Sequence, residues 1–342
     1  MSTMIGYRRP LAFALVVVAI ITILIGVTIY WLSRGSTWYG YVVGLDHRIY
    51  MVNLTEGGVV WVSRPLQVAG YPTEIDLNDD DSILYIAYGS DIPRTDYSPL
   101  LAVKLNESTD IVYKHDILDD FSGIISPAYE LFYNSIAKEI YISYIYGAEL
   151  MTKVDARTGQ IIGSINIPIR KQYEVSPDGL MIAELYPDRA RNTPNGIEQP
   201  VGIIGVNDLR TGKVVSDTEH PDNRGMFSPW GSPENNLIYV RENYSEFISR
   251  LEVFDRETGE KLAEHDFRET FSSLPNQSHV TRMPGSGDVA MSMGNSVVVF
   301  DPLTAEIKSR TRIESFPTEV VVTDKPLLQS ETEHSDLSWF SF

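Results

Sequence analysis

The segment Val154-Asp155-Ala156-Arg157-Thr158-Gly159 decides the fold, because the chain repeats it. Close copies are Asn207-Asp208-Leu209-Arg210-Thr211-Gly212 and Phe254-Asp255-Arg256-Glu257-Thr258-Gly259. Degenerate ones are Val52-Asn53-Leu54-Thr55-Glu56-Gly57, Val103-Lys104-Leu105-Asn106-Glu107-Ser108 and Phe300-Asp301-Pro302-Leu303-Thr304-Ala305. Each reads as a strand end entering a tight turn, where an Asx side chain caps backbone N–H groups and glycine supplies positive φ. The second residue of each copy falls at positions 53, 104, 155, 208, 255 and 301, spaced by 51, 51, 53, 47 and 46. A steady period in that range, built on hairpins and with no helical periodicity between them, implies a β-propeller.

Between these column hairpins lies a second kind. Glu74-Ile75-Asp76-Leu77-Asn78 turns through Asp79–Ser82 into Ile83-Leu84-Tyr85-Ile86-Ala87, and Glu174-Val175 turns through Ser176-Pro177-Asp178-Gly179 into Leu180-Met181-Ile182-Ala183. Ser232–Asn236 and Pro284–Asp288 make equivalent turns before runs rich in Ile, Val and Tyr or Met. The flanking β-branched and aromatic residues suit half-buried strands. One unit therefore holds two hairpins and four strands, which is a propeller blade. Six units predict six blades, with seven as the alternative. Tyr39-Gly40-Tyr41-Val42-Val43 precedes the first column hairpin, and Glu319-Val320-Val321-Val322 follows the last. These two ends are expected to complete one blade between them and so remove an exposed edge.

The Asp-x-x-Thr-Gly turns at Asp155–Gly159, Asp208–Gly212 and Asp255–Gly259, with the Ser-Pro-Asp-Gly turn at Ser176–Gly179, resemble the repeats of the YVTN and quinoprotein amine dehydrogenase-like propellers. The resemblance covers most of residues 40–330 and implies the fold. Such turns occur across propellers of unrelated function, so it implies no activity and no cofactor.

Upstream, Leu11 to Leu32 is an uncharged run of 22 residues. At 1.5 Å per residue it is roughly 33 Å of helix, enough to cross a bilayer core. Pro10 suits a first helical position. Tyr30, Trp31, Trp38 and Tyr39 crowd the far end as interfacial aromatics do. Ala12, Ala19, Thr22 and Gly26 share one helical side, where small residues let a neighbouring helix approach. The run exceeds the apolar core of a cleaved signal peptide, and no small-x-small site follows it. Arg8 and Arg9 before the helix favour a cytoplasmic N-terminus. The expected organisation is a cytoplasmic tail at 1–10, an anchor at 11–33, the propeller at 34–330 and a C-terminal tail at 331–342. The expected location is the cytoplasmic (inner) membrane, crossed once, with the propeller periplasmic or extracellular.

The chain has 46 acidic and 28 basic residues, and of these only Arg8, Arg9 and Arg34 precede residue 37. A domain so acidic repels phosphate backbones, which excludes nucleic acid as a partner. There is no cysteine, so disulfides, thiolate zinc sites, iron–sulfur clusters and covalent haem are excluded.

Catalytic signatures are absent: there is no Gly-x-Ser-x-Gly elbow, P-loop or dinucleotide fingerprint. Asp76-x-Asn78-x-Asp80-x-Ser82 starts like a calcium loop, but no glycine or terminal acid completes it, and the repeat places an ordinary turn there. No two of His47, His115, His220, His265, His279 and His334 have metal-pair spacing. No catalytic, cofactor or metal residue is assigned. Two connections exceed what a blade needs: Gly89–Ser98, with Asp91, Arg94 and Asp96, and Pro187–Pro200, with Asp188, Arg189 and Arg191. Both join the second and third strands of a blade, so both are expected on one face, as loops that contact a protein. The expected function is a non-catalytic interaction subunit of an integral membrane complex, respiratory or photosynthetic for instance. The alternatives are an anchored hydrolase or quinoprotein-like enzyme with a channel site, and an extracellular adhesion module.

Overall fold

A computed structural model describes residues 37–78, 80–89, 99–106, 108–116, 128–144, 150–166, 172–175, 181–187, 192–193, 196–197, 202–208, 214–220, 225–228, 237–244, 248–255, 260–266, 280–283, 285–324 and 326. The chain divides into two compact units, Met1–Thr37 and Trp38–Phe342. Among the described residues no helix is long and apolar enough to cross a membrane. The run Leu11–Leu32, with Ala12, Ala19, Thr22, Gly26, Tyr30 and Trp31, lies outside them.

The second unit is built of strands. In chain order they are β1 (Tyr39–Val43), β2 (Ile49–Asn53) and β3 (Val59–Val62), then β4 (Tyr71–Asn78), β5 (Ile83–Gly89), β6 (Pro99–Lys104) and β7 (Ile111–Asp116). Next come β8 (Ala128–Asn134), β9 (Glu139–Tyr144), β10 (Leu150–Asp155) and β11 (Ile161–Asn166). A fourth group is β12 (Gln172–Val175), β13 (Met181–Pro187), β14 (Asn192–Thr193), β15 (Gly196–Ile197), β16 (Gly202–Asp208) and β17 (Val214–His220). The last are β18 (Gly225–Ser228), β19 (Leu237–Tyr244), β20 (Ile248–Asp255), β21 (Lys261–Asp266), β22 (Thr281–Arg282), β23 (Val289–Met293), β24 (Ser296–Phe300), β25 (Ile307–Arg312) and β26 (Val321–Thr323).

Among the described residues these strands make six four-stranded sheets and one two-stranded ladder, β14–β15. Five sheets are sequential. The sixth has the order β26-β1-β2-β3, with Tyr39 opposite Thr323, Gly40 opposite Val322 and Tyr41 opposite Val321. The two ends of the repeat region therefore share one sheet, as the sequence implies.

The middle strands are apolar on both faces, and the contacts show why. Successive side chains of a strand point to opposite faces. Tyr41, Val43, Ile49 and Met51 pack on Leu84, Ile86 and Tyr88 of the next sheet, while Val42, Tyr50 and Val52 pack on Ala290, Val297 and Val299 of the preceding one. The same alternation sends Tyr85, Ala87, Leu100 and Ala102 towards Leu131, Tyr133, Ile140 and Ile142. The sheet of β1–β3 and β26 is thus sandwiched between those of β4–β7 and β22–β25, and the sheet of β4–β7 between it and that of β8–β11.

The column hairpins share one device. In each of the six sheets, the pairing of the third and fourth strands slips by one residue just before the column position, from Met51/Val52 to Val299/Phe300. Such a bulge bends the strand and tightens its twist. Asp155 Oδ1 then accepts from the backbone N–H groups of Arg157 (3.0 Å) and Thr158 (2.8 Å) and from the Thr158 hydroxyl (3.0 Å). Asn53 and Asp301 cap their turns in the same way. Gly159 closes its turn at φ +75, with its Cα against the Tyr113 ring: a Cβ there would lie 2.6 Å from two ring carbons.

Lys104 departs from the column. Its N–H reaches Asp110 O, where the Asn53, Asp155 and Asp301 N–H groups reach the fifth residue on, so this hairpin is one residue longer. Asn106 replaces the missing acid, its Oδ1 accepting from Asp110 N–H and Ser108 hydroxyl.

Burial alone would raise the Asp155 carboxyl pKa, but the Thr158 and Arg157 donors outweigh it and hold the group below the usual carboxylate range. A depressed folded value contributes stability above the unfolded pKa of ~3.9 and loses it as pH falls through the folded value. Asp155→Asn, which keeps an acceptor but cannot titrate, is expected to lose less stability than wild type between about pH 4 and 2. Asp155→Ala is expected to cost about 1–2 kcal/mol at neutral pH. Thermal unfolding across pH checks both.

Candidate interaction face

Strand direction sorts the connections by face. First-to-second and third-to-fourth hairpins lie at one end of each sheet; second-to-third connections and the crossovers to the next sheet lie at the other. These ends are the hairpin face and the loop face, save in the sheet that holds both chain ends, where β1 and β2 stand as second and third strands. The chain reaches Trp38 on the hairpin face, because Tyr39 pairs with Asn53 and Thr323. Trp38 packs on the Val42–Tyr50–Leu54 cluster and its N–H donates to Thr55 Oγ1 (2.8 Å), while Tyr39 packs on the opposite cluster. Of the four aromatics expected at a membrane interface, Trp38 and Tyr39 thus pack on the propeller's own core, and Tyr30 and Trp31 lie outside the described residues.

The loop face is best defined where three sheets meet. The β1–β2 turn, Gly44–Arg48, lies against the crossover that follows β25. Gly44 bridges to Pro317, Leu45 N–H donates to Phe316 O (3.0 Å), and Asp46 N–H donates to Ser315 Oγ (3.1 Å). Thr318 closes the junction from both ends: its hydroxyl accepts from Val43 N–H (3.1 Å) and its own N–H donates to Val43 O (2.9 Å). Any side chain at Gly44 would strike Asp46 and Ser315, so the approach requires glycine. Asp46 is held by the Tyr50 hydroxyl (2.7 Å) and by Arg48 (3.5 Å). Burial and the Asp46 carboxylate push the Tyr50 hydroxyl pKa up. Two large apolar side chains stand out from this rigid corner, Leu45 (42% exposed) and Phe316 (44% exposed). Next to them His47, at φ +63, stacks its ring parallel to Tyr88 with centroids 5.8 Å apart.

Tyr88 is the penultimate residue of β5, so the long 90–98 connection springs from this corner. Both long connections do join second to third strands, β5 to β6 and β13 to β16, as expected. Asp91, Arg94, Asp96, Asp188, Arg189 and Arg191 lie outside the described residues. The ladder of β14 and β15 gives the second connection a small hairpin of its own. Sequence reading missed Leu45, Phe316 and the His47–Tyr88 stack; the only signal was an apolar residue after Gly44, inside an otherwise polar turn.

The inner strands use their acids differently. An innermost strand leaves one edge of N–H groups without a partner strand, and buried groups of this kind need acceptors. Glu319 Oε1 accepts from Ile75 N–H of the next sheet (3.3 Å), and Asp76 Oδ2 accepts from Tyr133 N–H of the one after (2.6 Å). Asn78 holds its own turn through Asp81. Asp80 pairs with Lys138 at 3.6 Å. Side-chain oxygens of Asp76, Asn78 and Asp80 in the calcium-like segment are therefore directed to protein donors. Among the described residues, no three His, Asp or Glu side chains are grouped to hold a metal.

No family model matches the chain, and no curated protein sequence does. The fold resembles solved propellers. A putative 6-phosphogluconolactonase from Bacteroides fragilis aligns at a TM-score of 0.53 and 12% identity, over 84% of this chain and 98% of that one. The Cps50 (Swd1) β-propeller domain of Myceliophteria thermophila aligns at 0.49 and 10% identity, over 84% and 89%. Likeness at this level shows the fold alone: the chain is an all-β, propeller-like repeat protein.

Replacing Glu319 with Ala leaves the Ile75 N–H without its acceptor, at an expected cost of about 1–3 kcal/mol. Glu319→Gln keeps an acceptor and is expected to retain most of that stability. Denaturant unfolding of the two variants separates hydrogen bonding from charge.

Proposed function

We propose that this chain is a non-catalytic interaction subunit of an integral membrane complex, a six-bladed propeller held at the cytoplasmic membrane by one helix over residues 11–33. In this reading the N-terminus is cytoplasmic and the propeller periplasmic or extracellular. The observation that carries it is the polarity of the scaffold. Trp38, one residue before β1, lies on the hairpin face, while both long connections join their strands at the loop face, where the exposed Leu45–Phe316 pair also stands. An apolar pair on a rigid corner, rimmed by charged groups such as Arg48 and Glu314, is the composition of an interface centre and its rim. The inner-strand acids tie sheet to sheet, a structural use consistent with a scaffold.

Purification of the native protein in mild detergent is expected to bring down membrane-protein partners in fixed ratio. Leu45→Asp combined with Phe316→Asp is expected to lower their recovery about tenfold or more while leaving the melting temperature nearly unchanged, since both side chains are already exposed. A monodisperse wild-type protein without partners would refute the reading.

A further inference from the structure

The outer strand β25 carries a charge pattern unlike the other outer strands. It reads Ile307-Lys308-Ser309-Arg310-Thr311-Arg312, basic residues with no acid, in a chain with 46 acidic and 28 basic residues. Of the other outer strands, β7, β17 and β21 each hold acids, and β3 and β11 are uncharged. Pairing with β24 is regular from Ser309 to Arg312, so Arg310 and Arg312 share one side of the strand. Thr311 faces the other way, its hydroxyl accepting from Gly58 N–H of the adjoining sheet (2.7 Å). Both arginines are exposed, and Arg310 Nε donates to Ser296 Oγ (3.4 Å). Lys308 is exposed too, although it pairs with Asp288 at 2.7 Å. Two apolar side chains stand out at the hairpin-face end of the strand, Leu303 (44% exposed) and Ile307 (38% exposed).

We propose that the C-terminal segment 331–342 docks on β25, its carboxylates on Arg310 and Arg312 and its aromatic end on Leu303 and Ile307. The segment lies outside the described residues, and its sequence supplies the complementary chemistry. From Pro326 onward the chain has no Lys or Arg; it carries Glu331, Glu333 and Asp336, then Trp339, Phe340 and Phe342. Its reach is sufficient. β26 ends at Thr323 opposite Tyr39, so the chain leaves from the hairpin face, where β25 also begins. From Thr323 to Glu331 it can extend roughly 27 Å. The path needs about 14 Å for three strand spacings from inner to outer edge, and about 10 Å for one step between sheets. A tethered segment meets its site at an effective concentration on the order of millimolar, which favours it over an acidic partner in solution. β25 is the last strand of its sheet, so the docked segment covers an edge otherwise open to pairing. No part of this contact depends on a membrane anchor or on the Leu45–Phe316 corner.

The chain holds no cysteine, so a single Ser338→Cys spin label reports on the segment alone. In the otherwise unsubstituted chain, the label is expected to give a motionally restricted spectrum at low salt. The restriction is expected to loosen as salt rises and screens the contact. Arg310→Glu with Arg312→Glu is expected to raise the mobile fraction several-fold. Adding Glu331→Lys, Glu333→Lys and Asp336→Lys to that variant is expected to restore the restricted spectrum, which also shows that its propeller is folded. A label equally mobile with and without the two arginines would overturn the proposal. So would a restricted spectrum that the arginine substitutions leave unchanged, or a charge swap that restores nothing. Restriction that grows with protein concentration would overturn it as well, because the segment would then sit on a second copy.

Discussion

A four-stranded sheet that is apolar on both faces has to be covered twice. Here the middle strands of each well-described sheet alternate their side chains between two neighbours, as Tyr41 and Val42 do towards opposite clusters. Such a sheet is both core and cover, and the one that holds β1–β3 is covered on both faces only if the first and last sheets also meet. The β26–β1 pairing makes that meeting a matter of backbone hydrogen bonds within one sheet, as well as packing between sheets.

The ties across sheets follow the same logic with polar groups. Glu319 and Asp76 supply acceptors to the N–H edges of inner strands, and Ser309 and Thr311 bond the first column hairpin through Leu54 O and Gly58 N–H. His265 reaches Pro302 O at 2.7 Å in the hairpin of the following sheet. Buried tyrosines fill the spaces between: burial raises the Tyr85 hydroxyl pKa to about 12, though an Asn78 hydrogen bond works against it, so the ring serves as a neutral wedge. A scaffold held this way leaves its loop face free to vary without disturbing the layers beneath.

The repeat was legible because the column turn has strict local chemistry: an acceptor at the first position and positive φ near the end, both visible as residue types. Pairing of the two chain ends was legible by subtraction, since Tyr39–Val43 and Glu319–Val322 each lacked partners in their own repeat. The longer Lys104 hairpin was not legible, because Asn106 does the work of the column acid two residues late. Nor was the corner at Leu45 and Phe316. It depends on contact between residues some 270 positions apart, and no local pattern encodes that exposure. The cross-sheet role of Asp76 was hidden inside a segment that looks like a cation loop.

Closure also sets an order of events. Tyr41 and Val321 are 280 positions apart, and their pairing belongs to the sheet that holds the first three strands. While the chain is being made, Val42, Tyr50 and Val52 wait uncovered until β22–β25 have appeared, and β1 lacks its inner neighbour until residue 323 emerges. Contacts of such long range form slowly. An unfinished intermediate exposes strand edges and apolar surface to other chains. A protein of this design is therefore most vulnerable to aggregation before residue 323 emerges, while the sheet that holds β1–β3 still lacks its inner strand and one of its covers.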